Sequence, residues 1–548
     1  MATRSATDPS QIHGEVFTRR WVVDLMLDLA GYTDKVDLSQ LVVVEPSVGS
    51  GAFLGPLVER LAGQFGQRPE PNWSSLSTAV RGFELQEQHV ETSRQVVLTE
   101  LTAAGCPNEI ARRLAEMWVR HGDFLLTDHG DLKADLVIGN PPYIRIENLD
   151  PRLLAAYRSA APTMGGRADI FVGFYEHGLD MLKPGGRLAF ICADRWMRNS
   201  YGKALRRKVV DRFSVDDVIV MHDADAFEAD VSAYPAITVL SNRGQGEVIS
   251  AVATASFDGA AAGELASWRR GKDVRLTTPA VRAARMPSWY ETEGVWPDGS
   301  PETLAWLERI QETLPPLECA EDGTKLGIGI ATGNDKVYVR KAPPPDVEPD
   351  RLLPMVTSAD IKSGTFQWTG HHLVNPWTPT GPVELGDFPK LAGYYEDSME
   401  ALKSRSVAKR SGPRWYRTID RVNDGLLDRD LLVMEDMKAT AHPVRVPAGY
   451  YPHHNLYWIV SDAWDLDALG GLLLSEVVER QVAAYCVKMR GGTLRFQATV
   501  LRQVRAPRPH DLDQQILDGL AEAFRTRDRA AATAWALQAF GMDALPPG

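Results

Sequence analysis

The run 135–139, Asp-Leu-Val-Ile-Gly, is apolar enough to be a buried strand, and Asn140-Pro141-Pro142-Tyr143 ends it. Two consecutive prolines cannot continue a sheet ladder. The chain must therefore present an amide, a stiff backbone and an aromatic ring at the carboxyl end of a strand. In open α/β sheets, ligands bind at that end. The chemistry suits an amino group on a flat ring: the Asn140 side-chain oxygen and the Pro141 carbonyl can each accept one N–H, and the Tyr143 ring can stack.

The surrounding sequence fits such a sheet. Further apolar, β-rich runs occur at 41–44, 81–85, 118–124, 187–193, 215–221 and 236–240, with helical patterns at 19–30, 53–65, 86–104, 169–182 and 202–213. This alternation predicts a doubly wound, mostly parallel sheet with helices on both faces. Lys183-Pro184-Gly185-Gly186 reads as a helix stop and turn. The first strand runs into Glu45-Pro46-Ser47-Val48-Gly49-Ser50-Gly51. It is not a P-loop, because no Gly-Lys-Ser/Thr follows, and it lacks the third glycine of a dinucleotide fingerprint. Its glycines do permit a ligand to approach the backbone closely. The second strand ends in Glu84-Leu85, where an acid commonly bonds ribose hydroxyls, and the third in Asp123-Phe124, an acid and an aromatic suited to an adenine ring.

In combination and in order, these motifs resemble the adenine-N6 DNA methyltransferases of the gamma arrangement, the TaqI-like type II enzymes, over about residues 11–243. The resemblance implies a Rossmann-like methyltransferase sheet of seven strands, the last antiparallel, followed by a mixed α+β target-recognition domain. It implies S-adenosylmethionine as cofactor, held by Thr18, Glu45, Ser47, Gly49, Gly51, Glu84, Leu85, Asp123 and Phe124. Thr18 belongs to the opening motif Gly14-Glu15-Val16-Phe17-Thr18-Arg19, in which the family usually has Pro where this chain has Arg19. The catalytic set becomes Asn140, Pro141, Pro142 and Tyr143, with Phe227 on the opposite face of the target base. The expected organisation is a catalytic domain at 1–243, a connector at 244–320, a target-recognition domain at 321–510 and a helical segment at 511–548. Gly327 to Asp335, and Gly491 to Phe496, resemble the start and the end of the family's recognition region.

Double-stranded DNA is the implied partner, with a separately encoded restriction endonuclease or defence proteins as a further one. The net charge of −12 means that a DNA site must be a local basic surface on an acidic body. Three basic runs stand out. Lys403, Arg405, Lys409, Arg410, Arg414, Arg417 and Arg421 surround Trp415 and Tyr416; Arg480, Lys488, Arg490, Arg495, Arg502, Arg505 and Arg508 follow later; Arg195 to Arg212 is the third. They read as a phosphate-tracking surface, with Lys403, Arg405, Lys409, Arg410, Arg414, Arg417 and Arg495 as its candidate contacts. The scattered Cys106, Cys192, Cys319 and Cys486 suggest neither zinc site nor disulfide framework. With no signal peptide or membrane span, they suit the cytoplasm. His453-His454 reads as part of a loop rather than a metal pair, since neighbours in a strand face opposite ways. No metal is expected, and no separate nuclease domain is visible. Three other readings stand beside the DNA one: an Asn-Pro-Pro-Tyr methyltransferase of RNA or of protein glutamine, a non-catalytic DNA-binding subunit, and a nicotinamide dehydrogenase. The missing third glycine and the Pro-Pro strand end oppose the last.

Overall fold

A computed structural model describes residues 16–229, 234–438, 440–486 and 493–547. The chain forms two compact units, one ending at Leu304 and one spanning Ala305–Pro547. Among the described residues no helix is long and apolar enough to cross a membrane.

The first unit is built on one sheet. Its strands are β1 (Val43–Glu45), β2 (Val80–Glu84), β3 (Val119–His121), β4 (Ala134–Gly139), β5 (Leu182–Ala193), β6 (Ser214–Val220), β7 (Pro235–Ser241), β8 (Val248–Ala253), β9 (Arg275–Thr277) and β10 (Val281–Met286). They lie in the order β3-β2-β1-β4-β5-β7-β6-β8-β10-β9. The seven expected strands are all present, with β7 antiparallel to both β5 and β6 and the other pairings among them parallel. The expected connector departs from its reading: β8 pairs parallel with β6, and β10 and β9 extend the same sheet. The helix Gly259–Arg270 comes from this segment too, and its Arg269 grips the fully buried Asp217 of β6 through two bonds of 2.7 and 2.8 Å. The 183–186 turn is a bulge within β5, where the pairing jumps from Ala134↔Leu182 to Leu136↔Arg187.

Chain order in the sheet reverses between β1 and β4. The carboxyl ends of β3, β2, β1 and β4 therefore stand side by side, and β1 places Glu45 between the ends of β2 and β4. The helices Arg20–Leu29 and Leu54–Phe65 cover one face through a continuous core of Val22, Met26, Leu54, Leu57, Val80 and Ile138.

The second unit holds two four-stranded sheets, one antiparallel and one mixed. One orders Lys325–Ile328, Leu456–Val460, Leu431–Glu435 and Val444–Val446, all antiparallel; the other orders Val339–Arg340, His372–Val374, Leu352–Val356 and Tyr451–Pro452. Their core includes Tyr338, Met355, Tyr395, Leu431 and Val433. The helices Leu466–Leu474, Glu476–Tyr485, Gln514–Thr526 and Arg529–Ala539 complete the unit.

Candidate active site

A cavity of about 330 Å³ opens at the strand ends of the first unit, within the size range of small-molecule sites. Thr18, Glu45, Ser47, Gly49, Glu84, Leu85, Asp123, Phe124 and Asn140 to Tyr143 all line it, so a set scattered over more than a hundred residues converges. Gly51 and Phe227 are not in its wall.

The glycine-rich turn is shaped by two left-handed residues, Gly49 at φ +55° and Gly51 at φ +96°, a conformation that costs other side chains energy. Glu84 holds the turn. Its carboxylate accepts the Gly49 N–H at 2.8 Å and the Gln86 N–H at 2.7 Å, which leaves lone pairs for further donors. Glu45 is 1% exposed, and its Oε2 makes no hydrogen bond among the described residues. Burial first, and the negative Glu84 second, push its carboxyl well above the usual range. Asp123 accepts the Leu125 N–H at 2.9 Å and the Tyr157 hydroxyl at 2.6 Å. Leu85 is half exposed, at 52%. Phe124 is buried and stacks on Phe174 with ring centroids 5.4 Å apart.

The Asn140 amide is fixed by its surroundings. Its Nδ2 donates to the Val16 carbonyl at 3.0 Å and to Thr18 Oγ1 at 3.2 Å. A carbonyl can only accept, so the amide orientation is settled by its network. The other end, Oδ1, is buried and makes no hydrogen bond among the described residues. Such a buried, unmatched acceptor is costly unless a ligand meets it. The Ser47 hydroxyl donates to the Asn140 carbonyl at 3.1 Å, tying the glycine-rich turn to the Asn140–Tyr143 segment. Tyr143 is part-exposed in the cavity wall, while its hydroxyl is buried and makes no hydrogen bond among the described residues. Burial, and next the neighbouring Cys192, push that hydroxyl well above its ordinary range.

Phe227 forms an antiparallel bridge to Thr18, and the Arg19 N–H donates to the Ala226 carbonyl at 3.0 Å. The Phe227 side chain is buried in the apolar core. Gly14 and Glu15 of the opening motif, like Lys488, Arg490, Gly491 and Gly492, lie outside the described residues. Tyr157 is one of the lining residues that the sequence reading missed. Its helix, Pro151–Ala160, carries a legible start signal: Asp150 caps it and Pro151 is its first residue.

The basic runs divide once their partners are visible. The run from Arg195 to Arg212 is largely neutralised, and this corrects its reading as a phosphate surface. Arg195 pairs with Asp169 at 2.9 Å, Arg198 with Asp194, Lys203 with Glu293 at 2.9 Å and Lys208 with Asp180 at 2.6 Å; Arg206 is buried against main-chain carbonyls. In the last run, Arg495 pairs with Asp436, Arg502 with Glu318 at 2.7 Å and Arg508 with Asp322. Arg405 is an internal strut: it donates to the carbonyls of Leu402, Thr332, Trp415 and Arg417 at 2.9–3.0 Å and to the Tyr338 hydroxyl at 3.1 Å. Arg417 is half-buried. Lys403, Lys409, Arg410 and Arg414 stay exposed, Lys403 over the Trp415 ring and Arg414 at 3.3 Å from Glu384.

His453 lies at an isolated bridge and His454 in the turn that follows, with ring centroids 4.1 Å apart, and Asp335 lies close to both.

Comparison with known proteins agrees with the fold. The family described as Eco57I restriction-modification methylase matches residues 80–227. The chain is 41% identical to the type II methyltransferase M.PaeR7I of Pseudomonas aeruginosa, over 97% of this chain and 92% of that protein. It is 38% identical to M.XhoI of Xanthomonas vasicola, over 97% of both. Among solved structures, the type IIL restriction-modification enzyme MmeI in complex with DNA superposes with a TM-score of 0.57. That match has 12% identity and covers 96% of this chain and 74% of that one, a likeness of fold.

Proposed function

Because the chain belongs to the type II methyltransferases of restriction–modification systems, we propose that it methylates N6 of an adenine swung out of double-stranded DNA, with S-adenosylmethionine as donor. The single observation that carries this reading is the Asn140 amide, locked by Val16 and Thr18 with its buried oxygen meeting no donor among the described residues. An exocyclic amino group is the donor it lacks.

The cavity wall suits the cofactor. The unmatched, buried Glu45 Oε2 is an acceptor for an α-ammonium group, and the remaining lone pairs of Glu84 for ribose hydroxyls. Asp123 accepts from an adenine amino group, and the exposed Leu85 offers that ring an apolar face. When bound, S-adenosylmethionine supplies an electrophilic methyl group on a sulfonium.

The chain's own residues then act by position. Flipping a base costs a few kcal/mol, and stacking on an aromatic recovers roughly 1–3 kcal/mol per base; Tyr143 is that surface. Phe227 would have to leave its core packing to meet the second face. Asn140 Oδ1 and the Pro141 carbonyl accept the two amino hydrogens and turn the N6 lone pair toward the methyl donor. As N6 gains positive charge these bonds strengthen, so they lower the barrier and do more than bind. We assign target reading to residues 321–510, with phosphate contacts from the exposed Lys403, Lys409, Arg410 and Arg414. The partner such an enzyme counters is a separately encoded nuclease of the same specificity.

Adenine is favoured over cytosine N4, which uses a similar acceptor pair, by the leading Asn and the motif order. Plasmid from cells producing the protein, digested to nucleosides and resolved by mass spectrometry, should contain N6-methyladenine. N4-methylcytosine would overturn the base assignment. Labelled protein glutamine with unmodified DNA would overturn the substrate.

A further inference from the structure

We propose that Asp335, His453 and His454 of the second unit form a binding site for one divalent transition-metal ion, with zinc as the natural occupant. The inference is independent of the methyl-transfer reading.

Backbone pairing brings the three together. Ile330 bridges to His453, the Ile330 N–H donates to the Pro452 carbonyl at 2.9 Å, and the Gly329 N–H donates to the Leu456 carbonyl at 2.8 Å. The approach is so close that a Cβ on Gly329 would lie 2.2 Å from the His453 carbonyl oxygen. Five residues on, Asp335 opens the short helix Asp335–Tyr338 with its carboxylate toward the two imidazoles. One ligand atom from each of the three residues lies within 4.8 Å of the others.

The hydrogen bonds around the cluster fix its polarity. Asn455 Nδ2 donates to Ser358 Oγ at 2.8 Å, which turns Asn455 Oδ1 toward His453 Nδ1, also at 2.8 Å. An amide oxygen only accepts, so His453 Nδ1 carries the hydrogen. In the neutral ring Nε2 then presents a lone pair to Asp335 Oδ2, 3.1 Å away. Two acceptors at that distance need either a proton or a metal cation between them. Two atoms each about 2.1 Å from zinc lie roughly 2.9–3.4 Å apart at angles between about 90° and 109°, so the spacing already suits a shared ion. His454 adds a third donor, and its ring nitrogens make no hydrogen bond among the described residues. The supporting contacts are those that metal-binding histidines and carboxylates use: an amide oxygen behind His453, and the Thr332 hydroxyl on Asp335 Oδ1 at 2.5 Å. Imidazole nitrogen with one carboxylate selects zinc, nickel or copper over calcium or magnesium. The contrast with the buried Asp194, His222 and Asp298 is instructive. There the Arg198 guanidinium already sits on Asp194, whereas among the described residues Asp335 has no Lys or Arg partner. A bound ion would pin the 453–455 turn to the 332–335 turn.

The test uses full-length protein without a histidine tag, stripped with chelator and dialysed against Zn²⁺ alone. Metal content by mass spectrometry should reach one zinc per chain. X-ray absorption should show nitrogen and oxygen ligands with imidazole scattering and no sulfur. The exposed His454→Ala should lose the ion while keeping the wild-type circular dichroism. Asn455→Ala, which contributes no ligand, should weaken zinc by roughly 10- to 100-fold. A wild-type protein that retains no zinc, or a His454→Ala variant that retains it in full, would overturn the site. The Asp335–His453 contact would then be an imidazolium–carboxylate pair.

Discussion

Arg405 separates structural from phosphate-binding arginines. Its guanidinium satisfies four main-chain carbonyls and a tyrosine hydroxyl, and lies over the Tyr338 ring at 5.2 Å. Arg405→Ala strands these acceptors in a half-buried setting. A bond to a charged donor is worth about 1.5–3 kcal/mol, and losing one partner leaves the other's desolvation uncompensated. The five bonds share one side chain and do not add, so we expect a loss of about 3–5 kcal/mol, among the larger single-residue effects. For a unit of this size that corresponds to a fall in Tm of roughly 6–20 °C. Thermal unfolding followed by tryptophan fluorescence reads it, since Trp415 adjoins the site. Arg405→Lys should recover only part of the loss, because one ammonium cannot span carbonyls that a planar fork reaches. Unchanged unfolding in Arg405→Ala, together with a flatter salt dependence of DNA binding, would refute the strut and restore the residue to the phosphate surface.

The other expected outcomes concern the cavity and the exposed cations. Asn140→Ala should cut kcat by about 10²–10³, the usual cost of one preorganised partner, while calorimetry finds cofactor binding within a few-fold of wild type; near-normal turnover removes its catalytic role. Glu84→Ala should weaken cofactor binding by about tenfold or more, having removed both the ribose acceptor and the brace on Gly49; equal affinity in the folded variant would count against it. Neutralising Lys409, Arg410 and Arg414 together should leave Tm alone and reduce the salt slope of DNA binding by up to about 2–3; an unchanged slope makes them a solvated face. Glu45 gives a pH signature. Burial raises its folded pKa, so above the ordinary carboxylate range the folded state holds the proton that the unfolded state has lost. Stability of the cofactor-free protein should therefore fall as pH rises from about 4.5 toward the raised value. Glu45→Gln should flatten that trend, and parallel Tm–pH curves for the two proteins would contradict it.

The strand-end geometry was legible because proline, glycine and the period of apolar residues act locally. A chain that must stop a buried strand at Pro141 and turn at Gly49 has little choice of where its side chains go. What local patterns missed was long-range pairing. Seven cations within 195–212 look like a surface until Glu176 and Asp180 arrive from the helix Phe171–Asp180 and Asp169 from the segment before it. Arg405 and Arg410 are indistinguishable in sequence, yet one is consumed by carbonyls and the other faces solvent. His453 and His454 could not announce Asp335, which lies 118 residues from His453. Residues 259–270 fall within the stretch expected to be a connector. They form a helix because alanine pays no side-chain entropy there and Asp258 caps the first turn.

The extension of the sheet past β7 determines where this protein can be cut. A fragment ending at Arg243 would retain every residue assigned to the cavity. It would also strip β8 from the flank of β6, a strand buried along its whole length, and leave a long apolar edge open to pairing with other molecules. The same cut removes Arg269 and leaves Asp217 as an uncompensated charge in the interior. Such a fragment should aggregate on expression, whereas one ending at Leu304 keeps both the covering strand and the counter-charge.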